Sequence, residues 1–172
     1  MDTLTIFGLQ LVLSLTVFGL IAKWYVVPWL SEKPLHLALT VLIFPHALRH
    51  VGLVFLVPGL VGESLPSYFA WTAAYGDFVA GLLALISLVA LRHGWGLALP
   101  LVWLFNIVGT VDLVHALSHA DAVPHLGATW YIPTFFVPLL LVTHVMVFSR
   151  LMCHVRQSCR SDEGSCSLVK TA

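Results

Sequence analysis

The chain has 172 residues, of which 59% are hydrophobic and 9% are charged, and its mean hydropathy is +0.96. Soluble domains carry about 25% charged residues, so this composition excludes an ordinary soluble fold and predicts an integral membrane protein in contact with the lipid bilayer. Eight basic and eight acidic residues leave no net charge, which argues against a nucleic-acid partner. No motif indicates a particular protein partner.

Five apolar segments are each long enough to cross the roughly 30 Å of hydrocarbon in a bilayer. The connections between them contain proline, glycine and charged residues, as in the stretch SEKP that begins at Ser31. In chain order, the predicted helices cover about residues 3–22, 35–61, 68–91, 97–117 and 130–151. We therefore predict an all-α, polytopic bundle of five transmembrane helices over residues 1–152, followed by a short, disordered cytoplasmic tail at 153–172.

The basic residues predict the orientation of this bundle. Five helices place the C-terminus and two of the connections on one side, which then holds seven of the eight basic residues: Lys23, Lys33, Arg92, Arg150, Arg156, Arg160 and Lys170. The opposite side has no basic residue, and its charged residues are Asp2, Glu63 and Asp121. Because cytoplasmic loops are enriched in Lys and Arg, we predict an N-terminus outside and a C-terminus in the cytoplasm, in the plasma (inner) membrane. The first segment lacks a basic leader and is expected to be retained as a helix.

Arg49, the eighth basic residue, lies near the middle of the second predicted helix. A cation at that depth costs on the order of 3 kcal/mol or more unless it is compensated, so Arg49 is expected to face the interior of the bundle. Two carboxylates lie within the predicted helices, Asp77 on the third and Asp112 on the fourth. From their depths along the helices, Asp77 is the predicted partner, and Asp112 a second contact.

Histidines accompany these charges. On an ideal α-helix, His46 and His50 share one face with Arg49, and His115 and His119 share one face with Asp112. Each pair is one turn apart, the spacing at which a helix offers two nitrogens to one metal. His144, on the fifth helix, is a candidate proton relay below the midplane.

Three functions fit this polar cluster. Arg49, Asp77 and Asp112 could form a buried ion network that only joins helices. The same residues could form a path for protons, ions or a small solute. The third reading is a redox or hydrolytic centre with zinc, iron, copper or haem, for which His46, His50, His115 and His119 are the predicted ligands. The depths favour His50 with His115 for a shared site, and the sequence does not decide whether the protein is an enzyme.

A histidine on helix two, an aspartate on helix three and a late H-x-x-x-H pair resemble the zinc site of a group of seven-helix intramembrane hydrolases. This group includes the alkaline ceramidases and the progestin/adipoQ receptors, and the matching residues are His50, Asp77, His115 and His119. The resemblance implies a zinc-dependent hydrolase. The chain departs from the pattern in its five helices, and it has His46 where the ceramidases have a serine, so the resemblance indicates convergence and not membership.

The three cysteines, Cys153, Cys159 and Cys166, all lie in the predicted tail. That side of the membrane is reducing, so we do not expect a disulfide framework. Their spacings, with His154 beside the first of them, match no zinc module. We expect unpaired thiols in a solvated tail.

Overall fold

The computed structural model describes residues 1–169, with side chains described as far as Ser158. All regular elements in this part of the chain are helical. The five long helices are α1 (Thr3–Ser31), α2 (Leu35–Leu56), α3 (Ser67–His93), α4 (Ala98–Leu117) and α5 (Gly127–Ser158), and the helical backbone of α5 continues to Val169. The predicted all-α fold with five helices is confirmed. By length and composition, each of the five could cross a membrane.

Some helix ends differ from the prediction for local reasons. Helix α1 continues to Ser31 because a π-helical turn, Ala22–Val26, carries the backbone past residue 22. Helix α2 stops at Leu56 and not at residue 61, because Val57 precedes Pro58 and takes an extended conformation. Gly59 then turns the chain with a φ of 85°. Cys159 and Cys166 lie outside the residues whose side chains are described, so the expectation for the tail stays a prediction.

The helices form a ring of four with one helix outside it. Helix α3 packs against α2 and α4, and α5 packs against the same two helices from the other side. Helix α1 lies outside this ring, where its main helix contact is with α5. Any side chain that points to the centre of the ring is therefore surrounded by α2, α3, α4 and α5.

Helix α2 changes its geometry in the middle. It is α-helical over Leu35–Ala47 and a 3₁₀-helix over Leu48–Leu56, and the change follows Pro45, which has no backbone N–H to donate. A 3₁₀-helix has three residues per turn, so residues three apart face the same direction. The buried residues of this stretch follow that spacing: His46, Arg49, Gly52 and Phe55. The ring therefore receives Arg49, while His50 is exposed on the outside.

Two apolar cores lie at opposite ends of the ring. The core at the tail end, where α5 leads into the C-terminal segment, includes Leu39, Leu42, Ile43, Leu88 and Phe105. The core at the other end includes Phe7, Phe55 and Phe69. The polar side chains of the cluster lie between these two cores.

Residues 118–130 fold over the second core and form a cap. The backbone N–H of Ala128 donates to the Leu60 carbonyl at 2.9 Å, and the N–H of Gly62 donates to the His125 carbonyl at 2.9 Å. The Tyr68 hydroxyl donates to Asp121, and the indole N–H of Trp130 donates to Gln10 at 2.6 Å. The cap is thus attached to α1, to α3 and to the α2–α3 connection, and this end of the ring is the cap end.

Candidate functional site

Arg49 lies at the centre of the ring with 1% of its surface exposed. Its Nε donates to Asp77 Oδ1 at 2.7 Å, and its Nη2 donates to Asp112 Oδ2. Its Nη1 donates to the carbonyl oxygen of Gly109 at 3.1 Å. All three guanidinium nitrogens are therefore bonded, and Arg49 connects α2 with α3 and α4.

Glycines leave the space that these side chains occupy. A Cβ on Gly52 would lie 2.6 Å from Asp77 Cβ, and a Cβ on Gly76 would collide with the carboxylate of Asp112. A Cβ on Gly109 would lie 2.9 Å from Arg49 Nη1. A larger residue at any of these three positions would displace part of the cluster.

The cluster carries one more carboxylate than it has cations. Asp77 and Asp112 both bind the Arg49 guanidinium, and the ionised cluster has one uncompensated negative charge. An uncompensated charge in a buried site is strongly unfavourable unless a proton or a cation joins it. Asp112 is the more accessible of the two carboxylates, with 17% of its side chain exposed against 12% for Asp77.

A small cavity of about 40 Å³ lies between the cluster and the cap. Asp77 and Asp112 line it on the cluster side, His119 borders it from the cap, and its other walls are apolar. One water needs about 10–15 Å³ measured in this way, so the cavity has room for a few water molecules. Both carboxylates are therefore approached from the cap end.

A second buried polar layer lies next to Arg49. His46 and His144 are 0% and 1% exposed, and their ring centres are 4.1 Å apart. His46 Nε2 is 2.9 Å from the Thr143 hydroxyl. His144 Nδ1 is 2.7 Å from Asn106 Oδ1, while the Asn106 amide N–H donates to the His144 carbonyl at 3.2 Å.

This amide orientation fixes the tautomer of His144. Because Asn106 Oδ1 only accepts, His144 must donate from Nδ1, so Nε2 of the neutral ring carries a lone pair. Neither His144 Nε2 nor His46 Nδ1 has a partner among the described atoms. Beyond the two imidazoles, towards the tail end, the apolar core that includes Leu42, Ile43 and Phe105 fills the interior of the helix ring.

The four histidines predicted as metal ligands are not brought together. His46 is buried against His144, and His50 is exposed with its Nδ1 on the carbonyl of Ala47 at 3.1 Å. His115 and His119 lie at the cap end of α4, with ring centres 4.7 Å apart. Within the part of the chain that the structure describes, no three His, Cys, Asp or Glu side chains form a group that could hold a metal ion.

His50 lies on a different face of α2 from His46 and Arg49, and the expected pairing of His50 with His115 stays a prediction. The prediction assumed α-helical geometry for the whole of α2, in which His46, Arg49 and His50 share a face. The 3₁₀ geometry keeps His46 and Arg49 together and turns His50 out of the ring.

Sequence reasoning also missed the contact between His46 and His144 and the hydrogen bonds of Asn106 to His144. The available signal was the proline at position 45, followed by His46, Arg49 and Gly52 at a spacing of three.

The ring of four helices around an Arg–Asp–Asp cluster, with five helices apolar enough to span a bilayer, defines an all-helical protein of membrane type with a buried ionic site. Residues 6–152 match the family described as Domain of unknown function (DUF8737), and the chain belongs to that family. No curated protein and no solved structure matches the chain.

Proposed function

We propose that this chain is a multi-pass protein of the plasma (inner) membrane with its N-terminus outside and its C-terminus in the cytoplasm. Five apolar helices and the bias of seven basic residues to one side support this orientation. The cap then lies on the outer surface. Both carboxylates of the cluster are accordingly reached from outside.

Within this protein, the Arg49–Asp77–Asp112 cluster binds and releases a proton as the coupling site of a membrane transporter. The observation that carries this proposal is the single guanidinium between two carboxylates. A proton on one of them removes the uncompensated buried charge, and its release restores it. Intramembrane carboxylates in such surroundings are typical of proton-coupled transport.

Asp112 is the carboxylate that exchanges the proton. It borders the cavity on the cap side, and only its Oδ2 is bonded to Arg49. Water in the cavity can deliver a proton to it from outside. Asp77 is more deeply buried and stays with Arg49.

The tail end of the ring is closed in this conformation. The unpaired nitrogens of His46 and His144 are the next proton acceptors beyond Arg49, and the apolar core follows them. Transfer to the cytoplasmic side therefore needs a second conformation in which this core opens. The described conformation is the outward-facing one of that cycle.

The test compares Asp112→Asn with Glu63→Gln in lipid nanodiscs. Glu63 is an exposed carboxylate in the α2–α3 connection, so its substitution removes one acid without touching the cluster. Proton uptake is measured with an indicator dye during acidification, and the infrared band of a protonated carboxyl group is followed in parallel. Asp112→Asn should take up about one proton fewer than the native chain and lose the band.

The control should differ from the native chain only by an exposed carboxyl, with the buried-carboxyl infrared band unchanged. A structural ion network makes the opposite prediction for Asp112, namely no band that depends on this residue. In proteoliposomes, a pH gradient should drive a proton flux through the native chain that Asp112→Asn abolishes. Native protein without a titrating buried carboxyl would refute the proposal.

A further inference from the structure

A groove of about 540 Å³ runs between α3 and α4 on the outside of the ring. Its walls are almost entirely apolar side chains, such as Val79, Ile107 and Val111, and under the proposed orientation it faces lipid. Three side chains with polar atoms line it, Tyr75, Asp112 and His115. Asp112 therefore borders both the inner cavity and this outer groove.

Gly76 lies between the Asp112 carboxylate and the groove, and because it has no side chain it leaves an opening there. The oxygen Oδ1 of Asp112 lies in the space that a Cβ on Gly76 would occupy. Arg49 bonds to the other oxygen, Oδ2, so Oδ1 has no bond to the guanidinium. A ligand that lies in the groove beside Gly76 thus meets a carboxylate oxygen directly.

The charge of the cluster selects the kind of ligand. With both aspartates ionised, the cluster lacks one positive charge, and a cation at Oδ1 supplies it. The rest of the groove is mostly apolar, so the rest of the ligand should be hydrocarbon. An ammonium group is compact and has three donors, which suits Asp112 Oδ1 and the neighbouring His115 ring.

A second groove, between α1 and α5, serves as a comparison within the same chain. It has a similar volume of about 440 Å³ and apolar walls, but its charged side chain is Lys23 and it contains no carboxylate. That groove suits a lipid chain and repels an ammonium group. Of these two grooves, the α3–α4 groove is the one that combines hydrocarbon walls with negative charge.

We propose that the α3–α4 groove binds a membrane-dissolved primary alkylamine, whose ammonium group replaces the proton of Asp112. Protonated Asp112 loses its proton to the cavity as the alkylammonium ion binds the carboxylate, so one cation enters and one proton leaves. This inference rests on the proposed proton-binding function and names the class of substrate that exchanges with the proton.

The test uses radiolabelled decylammonium as the probe, with full-length protein in nanodiscs of zwitterionic lipid. Val79→Trp fills the groove without replacing a residue of the cluster. Val89→Trp is the matched control, because Val79 and Val89 lie on the same helix with similar exposure, 48% and 46%, and Val89 does not line the groove. Decanol, which has the same chain and no charge, is the ligand control.

Native protein and Val89→Trp should bind decylammonium saturably and release a proton on binding. Val79→Trp should weaken this binding at least about tenfold, or about 1.4 kcal/mol, while the Asp112 protonation step stays intact. Equal binding by Val79→Trp and Val89→Trp would overturn the groove assignment. Equal saturable binding of decanol, or binding without proton release, would overturn ammonium recognition.

The two proposals fail in different ways. Absence of the Asp112 protonation step from the native chain refutes the proposed function itself. A normal protonation step without saturable decylammonium binding refutes only the inference about the groove. The intact protonation step in Val79→Trp also shows that this variant has folded.

Discussion

Single glycines determine whether the charged side chains can meet at the centre of the ring. Gly109 lies where α4 approaches both Arg49 and His144, and its carbonyl oxygen accepts from Arg49. The space at this position is shared by the two polar layers. A side chain there would push against a guanidinium and an imidazole that are both bonded elsewhere.

We predict that Gly109→Ala destabilises the protein by roughly 1–3 kcal/mol, the usual cost of overpacking a filled interior. The added Cβ would lie 2.8 Å from Cε1 of His144 and 2.9 Å from Nη1 of Arg49. Gly19→Ala on α1 is the control, since nothing lies within 4 Å of a Cβ at that position. Reversible unfolding in detergent micelles measures both, and equal stability of the two variants would contradict the packing argument.

At the scale of single residues, the contacts of the charged side chains could be predicted from the sequence better than those of the histidines. A cation in an apolar segment has few partners, so Arg49, Asp77 and Asp112 could be selected from hydropathy alone, and the structure places them in direct contact. Histidine can be neutral, and its burial carries no such constraint. The contact between His46 and His144 depends on the direction of each side chain, which composition does not specify.

Helix α2 shows why the predicted elements were right in number and wrong in detail. Hydropathy measures length, and length was sufficient to count five helices. It does not distinguish 3.6 residues per turn from 3.0, and over the nine residues from Leu48 to Leu56 this difference rotates whole faces. This rotation is the reason why His50 is exposed and does not face the interior of the ring.

The cap is the element whose stability should depend on pH. The hydroxyl of Tyr68 donates to Asp121 and holds the pKa of that carboxyl below its ordinary value, and the nearby His119 and His125 act in the same direction when they are charged. The contribution of this contact is present while Asp121 is ionised. It is lost as the pH falls through the lowered pKa of Asp121.

We therefore expect the cap to open more often in acid. Amide hydrogen exchange over residues 120–126, corrected for the intrinsic rate, should accelerate as the pH falls through the Asp121 titration. Tyr68→Phe should raise exchange at neutral pH and reduce this acid-dependent step. Tyr75→Phe, an exposed tyrosine further along α3, is the control and should behave like the native chain. Unaltered exchange in Tyr68→Phe would show that the contact does not hold the cap.

The whole molecule is a four-helix ring with a fifth helix attached to one side. This arrangement follows from which helices contact each other, and nothing in a linear hydropathy profile encodes it. The profile could predict that Arg49 faces inward, but not that α1 would be excluded from the ring. Charge bias, in contrast, predicts orientation from the sequence alone, because it depends only on the side of each connection.

The orientation is tested by cysteine labelling in intact cells. In a variant without native cysteines, Glu63→Cys should react with a membrane-impermeant maleimide added outside. Glu32→Cys should react only after permeabilisation, because the proposed orientation places the α1–α2 connection on the cytoplasmic side. Both glutamates are exposed, so a difference in labelling reports the side of the membrane. The reverse pattern would invert the proposed topology.

The apolar core at the tail end also has an electrical consequence under the proposed orientation. Most of a transmembrane voltage falls across a dry layer and little across a wet one, so the field is concentrated between the cluster and the cytoplasm. Asp112 lies five residues before the end of α4, about a quarter of the membrane thickness, so even a uniform field would make loading it from outside worth only roughly 0.6 kcal/mol per 100 mV, and the wet cavity lowers this value. External acidity would therefore set how often the site is filled, and membrane voltage would act mainly on the step that empties it inward.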